Sequence, residues 1–324
     1  MKVLMCEIKN EIIKLYSGRI IIAIVVCIVL FCFFNIFNQL NTQYSDDWHL
    51  EVQEEIKLNE EILTEIRGEI DDNTYQNHLL QNEKLKYYLN NNICPNTTVL
   101  QFVHDAIDLN FVLILLSILI FSKVFCVEKS SGTEKIYLTR NVKRRVLISA
   151  KLAAASILVA GLYIVATIIF LILGVIFFGE NGIGLNSVVI DMTGIVAVRS
   201  YIPTMVNAFI VNTLLVFSLV AITTLVAIIF KKQLFAVLIP LLIWNFGGNL
   251  VESINFIPKK IQFLFFLYPL DFFSSVGSWE ISWSSTYVLQ MTLSILIYSV
   301  LMILFSVVIF IRQSAYGGKL IYKT

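Results

Sequence analysis

Apolar residues fill six long runs of this chain, 19–37, 109–127, 147–178, 205–230, 233–250 and 286–312. Each approaches or exceeds the roughly 20 residues that an α-helix needs to cross a ~30 Å hydrocarbon core. The expected fold is therefore an all-α polytopic membrane protein with six transmembrane helices. The third run is longer than one crossing requires, which predicts tilt or extension beyond the bilayer. The fifth contains Pro240 and the run Asn245-Phe246-Gly247-Gly248-Asn249. Lipid tolerates such residues where neighbouring helices satisfy the freed backbone groups.

The segments between the runs have patterns of their own. In 1–18, Leu4, Ile8, Ile12 and Leu15 recur at helical spacing, while Lys2, Glu7, Lys9, Glu11 and Lys14 lie elsewhere on the wheel. That predicts an N-terminal amphipathic helix lying in the interface, an ordinary helical tail being the alternative. In 38–108, His49, Val52, Ile56, Asn59, Leu63, Ile66 and Ile70 take successive a and d positions of a heptad frame, Asn59 being the polar intruder. Asp71-Asp72-Asn73 reads as a turn, and 75–89 as a second, weaker helix. The result is a helical hairpin outside the membrane, either a solvated spacer or a recognition surface over the exit of a translocation route. The loop 179–204 opens on the turn residues Gly179, Asn181, Gly182 and Gly184. The segment 251–285 holds Pro258, Lys259, Lys260 and an apolar run, 263–269, that Pro269 breaks. A re-entrant pair of half-helices between the fifth and sixth spans is expected, followed by an aromatic belt of Trp279, Trp283 and Tyr287.

Composition agrees with a membrane protein. The 324 residues are 57% hydrophobic and 15% charged, against about 25% charged in a soluble domain. The first apolar run is too long for a signal-peptide core and no small-x-small site follows it, so it is expected to stay as an anchor. Cations fall where alternating spans bring the chain to one side, with Arg19, Lys231, Lys232 and Arg312 as topology anchors. Lys259 and Lys260 are the exceptions. The positive-inside rule then places both termini in the cytoplasm, and the abundance of Asn, Ile and Lys, which resembles that of low-GC bacteria, makes a bacterial plasma membrane the expected location. Cys6, Cys27, Cys32 and Cys126 belong in or beneath the membrane and Cys94 outside it, so no intramolecular disulfide is expected.

Candidate chemistry narrows the function by what is missing. The chain has no GxxxxGK[ST] phosphate loop, no HExxH, no CxxC pair and no nucleophile elbow. No catalytic site, metal, cofactor of its own or nucleic-acid partner is expected. His104, Asp105 and Asp108 offer three donors and no fourth, a weak metal set; a solvated helix start with carboxylates at its N-terminus is the other reading. Charges well inside the spans are nearly absent, so no proton or ion relay is visible. Any transport must draw its energy from an external motor.

The densest cationic segment is the loop 128–146, with Lys129, Lys135, Arg140, Lys143, Arg144 and Arg145. Ile136 and Leu138 between charges predict a short helix. The loop either docks a soluble partner or only anchors topology. Its order of Glu128, Gly132-Thr133, Leu138-Thr139, Arg144-Arg145 and Lys151 resembles the coupling helix of permease subunits in the type-2 family of ABC exporters (ABC-2). Arg140-Asn141 stands where that family often has proline, and the outer hairpin exceeds the family plan. The resemblance implies a homodimer or a dimer with a related permease, two cytoplasmic ABC ATPase subunits carrying ATP and Mg, and membrane lipids around it. It gives Glu128, Gly132, Thr133, Leu138, Arg144 and Arg145 an ATPase-coupling role, with the N-terminal helix bracing the contact. Its expected cargo is an amphipathic peptide (antimicrobial, bacteriocin-like or signalling) or a lipid-like molecule. A membrane sensor or immunity protein that binds a ligand through the hairpin is the other class; an enzyme acting on lipid has no residue set behind it.

Overall fold

The computed structural model describes residues 2–15, 18–45, 47–65, 72–108, 111–130, 143–190, 196–253, 265–275 and 286–319. Its helices are α1 (Lys2–Leu15), α2 (Gly18–Leu40), α3 (Trp48–Glu65), α4 (Asp72–Asn90), α5 (Val99–Asp108), α6 (Phe111–Ser130) and α7 (Arg144–Phe178). A short antiparallel ribbon, β1 (Asn186–Ile190) and β2 (Val196–Ser200), interrupts the helical chain. Then come α8 (Tyr201–Phe230), α9 (Gln233–Ser253), α10 (Leu267–Ser275) and α11 (Thr286–Lys319).

Four of these are long and apolar enough to cross a membrane: Phe111–Glu128, Arg144–Asn181, Tyr201–Phe230 and Thr286–Arg312. Shorter apolar stretches occupy Ile24–Leu40 and Gln233–Gly248. α8 is apolar all round and sits at the centre against α5, α6, α9, α10 and α11, as such a helix must. Its hydroxyls do not disturb that core, because Thr223 and Thr224 donate to the carbonyls of Leu219 and Val220 one turn back. Peripheral α7 and α11 instead leave Ile164, Val175, Leu293 and Phe305 more than half exposed. Water would not tolerate such continuous apolar faces. The helices describe a membrane-embedded protein.

Several expectations change in detail. The chain is not wholly helical, since the loop 179–204 folds into the ribbon and α8 begins at Tyr201. The third apolar helix starts at Arg144, so Arg144 and Arg145 belong to its first turn and not to a loop. Asp72 and Asn73 open α4 instead of forming a free turn. Pro269 does not break its segment: it lies in the first turn of α10, where a missing N–H costs no intrahelical bond. Pro240 stays inside α9. Of the proposed re-entrant segment, 254–264 and 276–285, with Lys259, Lys260, Trp279 and Trp283, lie outside the described residues. Ile66, Ile70 and Asp71 lie outside them too.

α3 and α4 pack against each other as a helical pair, the hairpin. Near its base, a ring nitrogen of His49 bonds Asn92 Oδ1 at 2.7 Å, and Tyr44 and Asn96 exchange two bonds, at 2.7 and 3.1 Å. Val52 and Leu85 are buried between the helices, as is Asn59. Under the hairpin lies α5, whose buried face of Phe102, Val103, Ala106 and Ile107 packs on α7 and α8. Burial pushes the Tyr88 phenol up to about 12 from its ordinary 10.0. Its folded value is raised, so the stability it contributes is complete below pH 10 and disappears as pH rises towards 12. Alkaline titration followed by tyrosinate absorbance should show Tyr88 ionising later than free tyrosine.

Candidate functional site

Charged residues are scarce here, so where they gather inside the protein is informative. α1 runs against α7, and its two buried acids, Glu7 and Glu11, stand four residues apart on the face that also carries Lys14. An interfacial helix would keep these charges towards solvent; instead Glu7 and Glu11 face inward and Val3, Met5 and Ile13 are exposed. The reason is electrostatic: the surface that α1 meets holds Lys151 and Glu128, and opposite charge orients the helix where apolar contrast is weak.

Four side chains close a ring. Lys14 Nζ lies 2.6 Å from Glu11 Oε1 and 3.0 Å from Glu128 Oε1. Lys151 Nζ lies 2.8 Å from Glu128 Oε2 and 3.5 Å from Glu11 Oε2. Each ammonium therefore bridges both carboxylates, and each carboxylate uses both oxygens. Lys151 also donates to the Val124 carbonyl at 3.0 Å. The side chains of Lys151 and Glu11 are only 2% and 3% exposed. Lys14 keeps contact with solvent, its side chain 35% exposed, and burying the other three charges is tolerable because the four sum to zero and Lys151 has the Val124 carbonyl as a further partner. The second carboxylate oxygen of Glu7, beyond the ring on α1, has no hydrogen-bond partner among the described residues.

The ring marks the two ends of the basic loop. Glu128 sits near the end of α6 and Lys151 two turns into α7, so the connection between them leaves from and returns to one rigid ionic joint. Arg144 is half-buried at the start of α7, and Lys143 and Arg145 are exposed there. Gly132, Thr133 and Leu138 lie outside the described residues. Among the anchors, Lys231 and Lys232 are exposed in the tight turn after α8, where Lys231 takes a left-handed backbone (φ 59°). Arg312 is exposed in α11, and the Arg19 side chain lies outside the described residues.

A family model described as "Protein of unknown function (DUF2705)" matches residues 74–315. The chain belongs to the DUF2705 family. No curated protein and no solved structure matches it. Within the DUF2705 match fall α6, the basic loop and α7, hence Glu128 and Lys151. Glu11 and Lys14 precede it.

A second polar cluster gathers at the hairpin end of the bundle. His104 is 1% exposed, so a solvated helix start does not describe it. Its Nδ1 lies 3.1 Å from Asp105 Oδ1, and Gln39 Nε2 donates to Asp105 Oδ2 at 3.1 Å. Burial pulls the Lys84 ammonium on α4 below its ordinary value, against the charge of Asp105, which raises it. Asp105 thus connects α2, α4 and α5. Among the described residues no group of three His, Cys, Asp or Glu is placed to hold a metal ion; the Asp108 side chain is not among them.

Proposed function

We propose that this protein is the membrane subunit of an ATP-driven exporter of the type-2 ABC kind, with six crossings and both termini in the cytoplasm of a bacterium. It works with separate ATPase subunits that bind ATP and Mg, and with a second permease copy or a related permease. Its cargo is an amphipathic peptide or a lipid-like molecule.

The observation behind this reading is the ionic ring. A motor pushing on a loop moves a membrane domain only if the loop's two ends are stiffly joined to the spans. Here Glu128 and Lys151 join α6 to α7 directly, and Lys14 and Glu11 strap α1 over the joint. Displacement of the elbow would then tilt α6 and α7 together. The order of residues in the loop supports the same reading by resemblance.

The test is the complex isolated from native membranes and reconstituted in vesicles, screened with peptides and lipids for stimulation of ATP hydrolysis. Reversing Arg144 and Arg145 to glutamate should leave hydrolysis running while cargo movement falls by on the order of tenfold, as expected for losing interfacial charge contacts. Unchanged transport by that variant would remove the docking role.

A sensor reading has one observation in its favour: Asp105 of α5 accepts from Gln39 of α2 and faces the charge of Lys84 on α4, a route by which a ligand on the hairpin could pull on the bundle. Co-purification separates the two, since an ATPase partner supports the exporter and a kinase partner the sensor.

A further inference from the structure

α7 and α8 stand apart over a stretch where α6 forms the floor between them, leaving a groove of about 670 Å³. Leu152, Ser156, Ala160 and Tyr163 of α7 line one wall, and Phe209 and Thr213 of α8 belong to the other. The helices that form it are among those able to cross a membrane, so hydrocarbon is its solvent. Thr167 and Thr213 give their hydroxyl protons to the carbonyls of Tyr163 and Phe209 one turn back. Apart from Ser156 and the buried Tyr163 hydroxyl, which has no partner among the described residues, the lining is otherwise apolar and favours an apolar occupant.

The groove points towards the elbow. On α7, Arg145, Ser149, Leu152, Ser156, Ala160 and Tyr163 recur three or four residues apart and so share one face. The covered face of this region, with Ile148, Lys151 and Ala155, is another, and Arg145 and Ser149 are exposed. At 1.5 Å per residue, Arg145 lies about 10 Å below Leu152 and about 22 Å below Ala160. Half of a bilayer, headgroups included, is about 20 Å. Arg145 and Lys143 form no ion pair among the described residues. On α7 the lining runs from Leu152 to Ile168, so the apolar slot is about 24 Å long, and the exposed cations Arg145 and Lys143 at the start of α7 stand about 10 Å or more beyond its near end.

We infer that this groove binds one acyl chain of an anionic glycerophospholipid, whose phosphate rests on Arg145 and Lys143. The charge complementarity selects a lipid of that sign over a zwitterionic one, and the depth of the slot selects a chain over a compact ligand. Arg145 is shared with the docking role of the exporter reading, so the site is tested by lipid labelling of the groove walls, which does not depend on transport or on a motor.

The experiment uses the full chain in lipid nanodiscs with two probes, phosphatidylglycerol and phosphatidylcholine, each carrying a photoactivatable diazirine in one acyl chain. Phosphatidylglycerol should label the facing walls of α7 and α8 in preference to the exposed faces at Phe33 and Leu301. Ala160→Trp and Thr213→Trp, both at exposed positions, should abolish groove labelling and leave the other faces labelled, which also reports that the variants fold. Lys143→Glu and Arg145→Glu should each cut phosphatidylglycerol labelling roughly fivefold with little effect on phosphatidylcholine. Labelling that follows exposure alone, or equal labelling by both probes that ignores the charge reversals, overturns the inference. So does a cysteine at Ala160 that links two copies of the chain while the groove takes no probe.

Discussion

Lys151→Met should destabilise the protein by about 3–5 kcal/mol, the loss expected when one partner is removed from a buried ionic network. Methionine keeps the volume of the stem, so the loss is that of the charge. Without it, Lys14 alone must neutralise Glu11 and Glu128, and the Val124 carbonyl loses its donor. Most of the effect should vanish in the double variant Lys151→Met/Glu128→Gln, which removes both members of the 2.8 Å pair. Thermal unfolding of the purified protein in detergent measures the loss, and the double-mutant cycle measures the coupling. A change below about 1 kcal/mol, typical of exposed pairs, would mean that the ring is not what joins α1, α6 and α7.

Gly184→Ala should cost at least about 3 kcal/mol, combining left-handed backbone strain with overpacking. Gly184 has φ +65°, and a Cβ there would lie 2.1 Å from Thr98 Oγ1 and 2.3 Å from Thr98 Cβ. Nothing nearby can yield cheaply. The loop around it supplies the carbonyls of Gly182 and Ile183 to the N–H groups of Val99 and Leu100, which open α5. Asn181 also donates to the Thr97 carbonyl at 3.0 Å. Gly182→Ala is the control: a Cβ there meets open space, but its backbone (φ 85°, ψ 176°) lies in a region essentially reserved for glycine, so only a backbone term of about 1–3 kcal/mol remains. Thermal unfolding of the two variants side by side should separate conformational strain from collision.

The long helices were legible because continuous apolar runs can be read without knowing what they touch. The helix α3 was legible because Val52, Ile56 and Asn59 keep heptad spacing. The ribbon was not: its strands are five residues each, and the glycines before it read only as a loop. Pro269 misled for a local reason, since a proline breaks a helix in its interior but suits its first turn. The candidate site was half legible. Glu128 and Lys151 stood out by their order around the basic loop. Glu11 and Lys14 did not, because helical periodicity says which residues share a face of α1 but not which face the protein covers. A stripe of charge on a helix beside a membrane bundle is as apt to be held by opposite charge inside as by water outside.

The most direct test of the account is to find what touches the basic elbow in the native membrane. A photo-crosslinker placed at Thr133 or Leu138 in the full chain should capture a soluble ATP-binding subunit in one-to-one ratio, and addition of nucleotide should change the yield. Capture from the outer face of sealed cells, or cargo movement by the isolated chain with no nucleotide present, would contradict it.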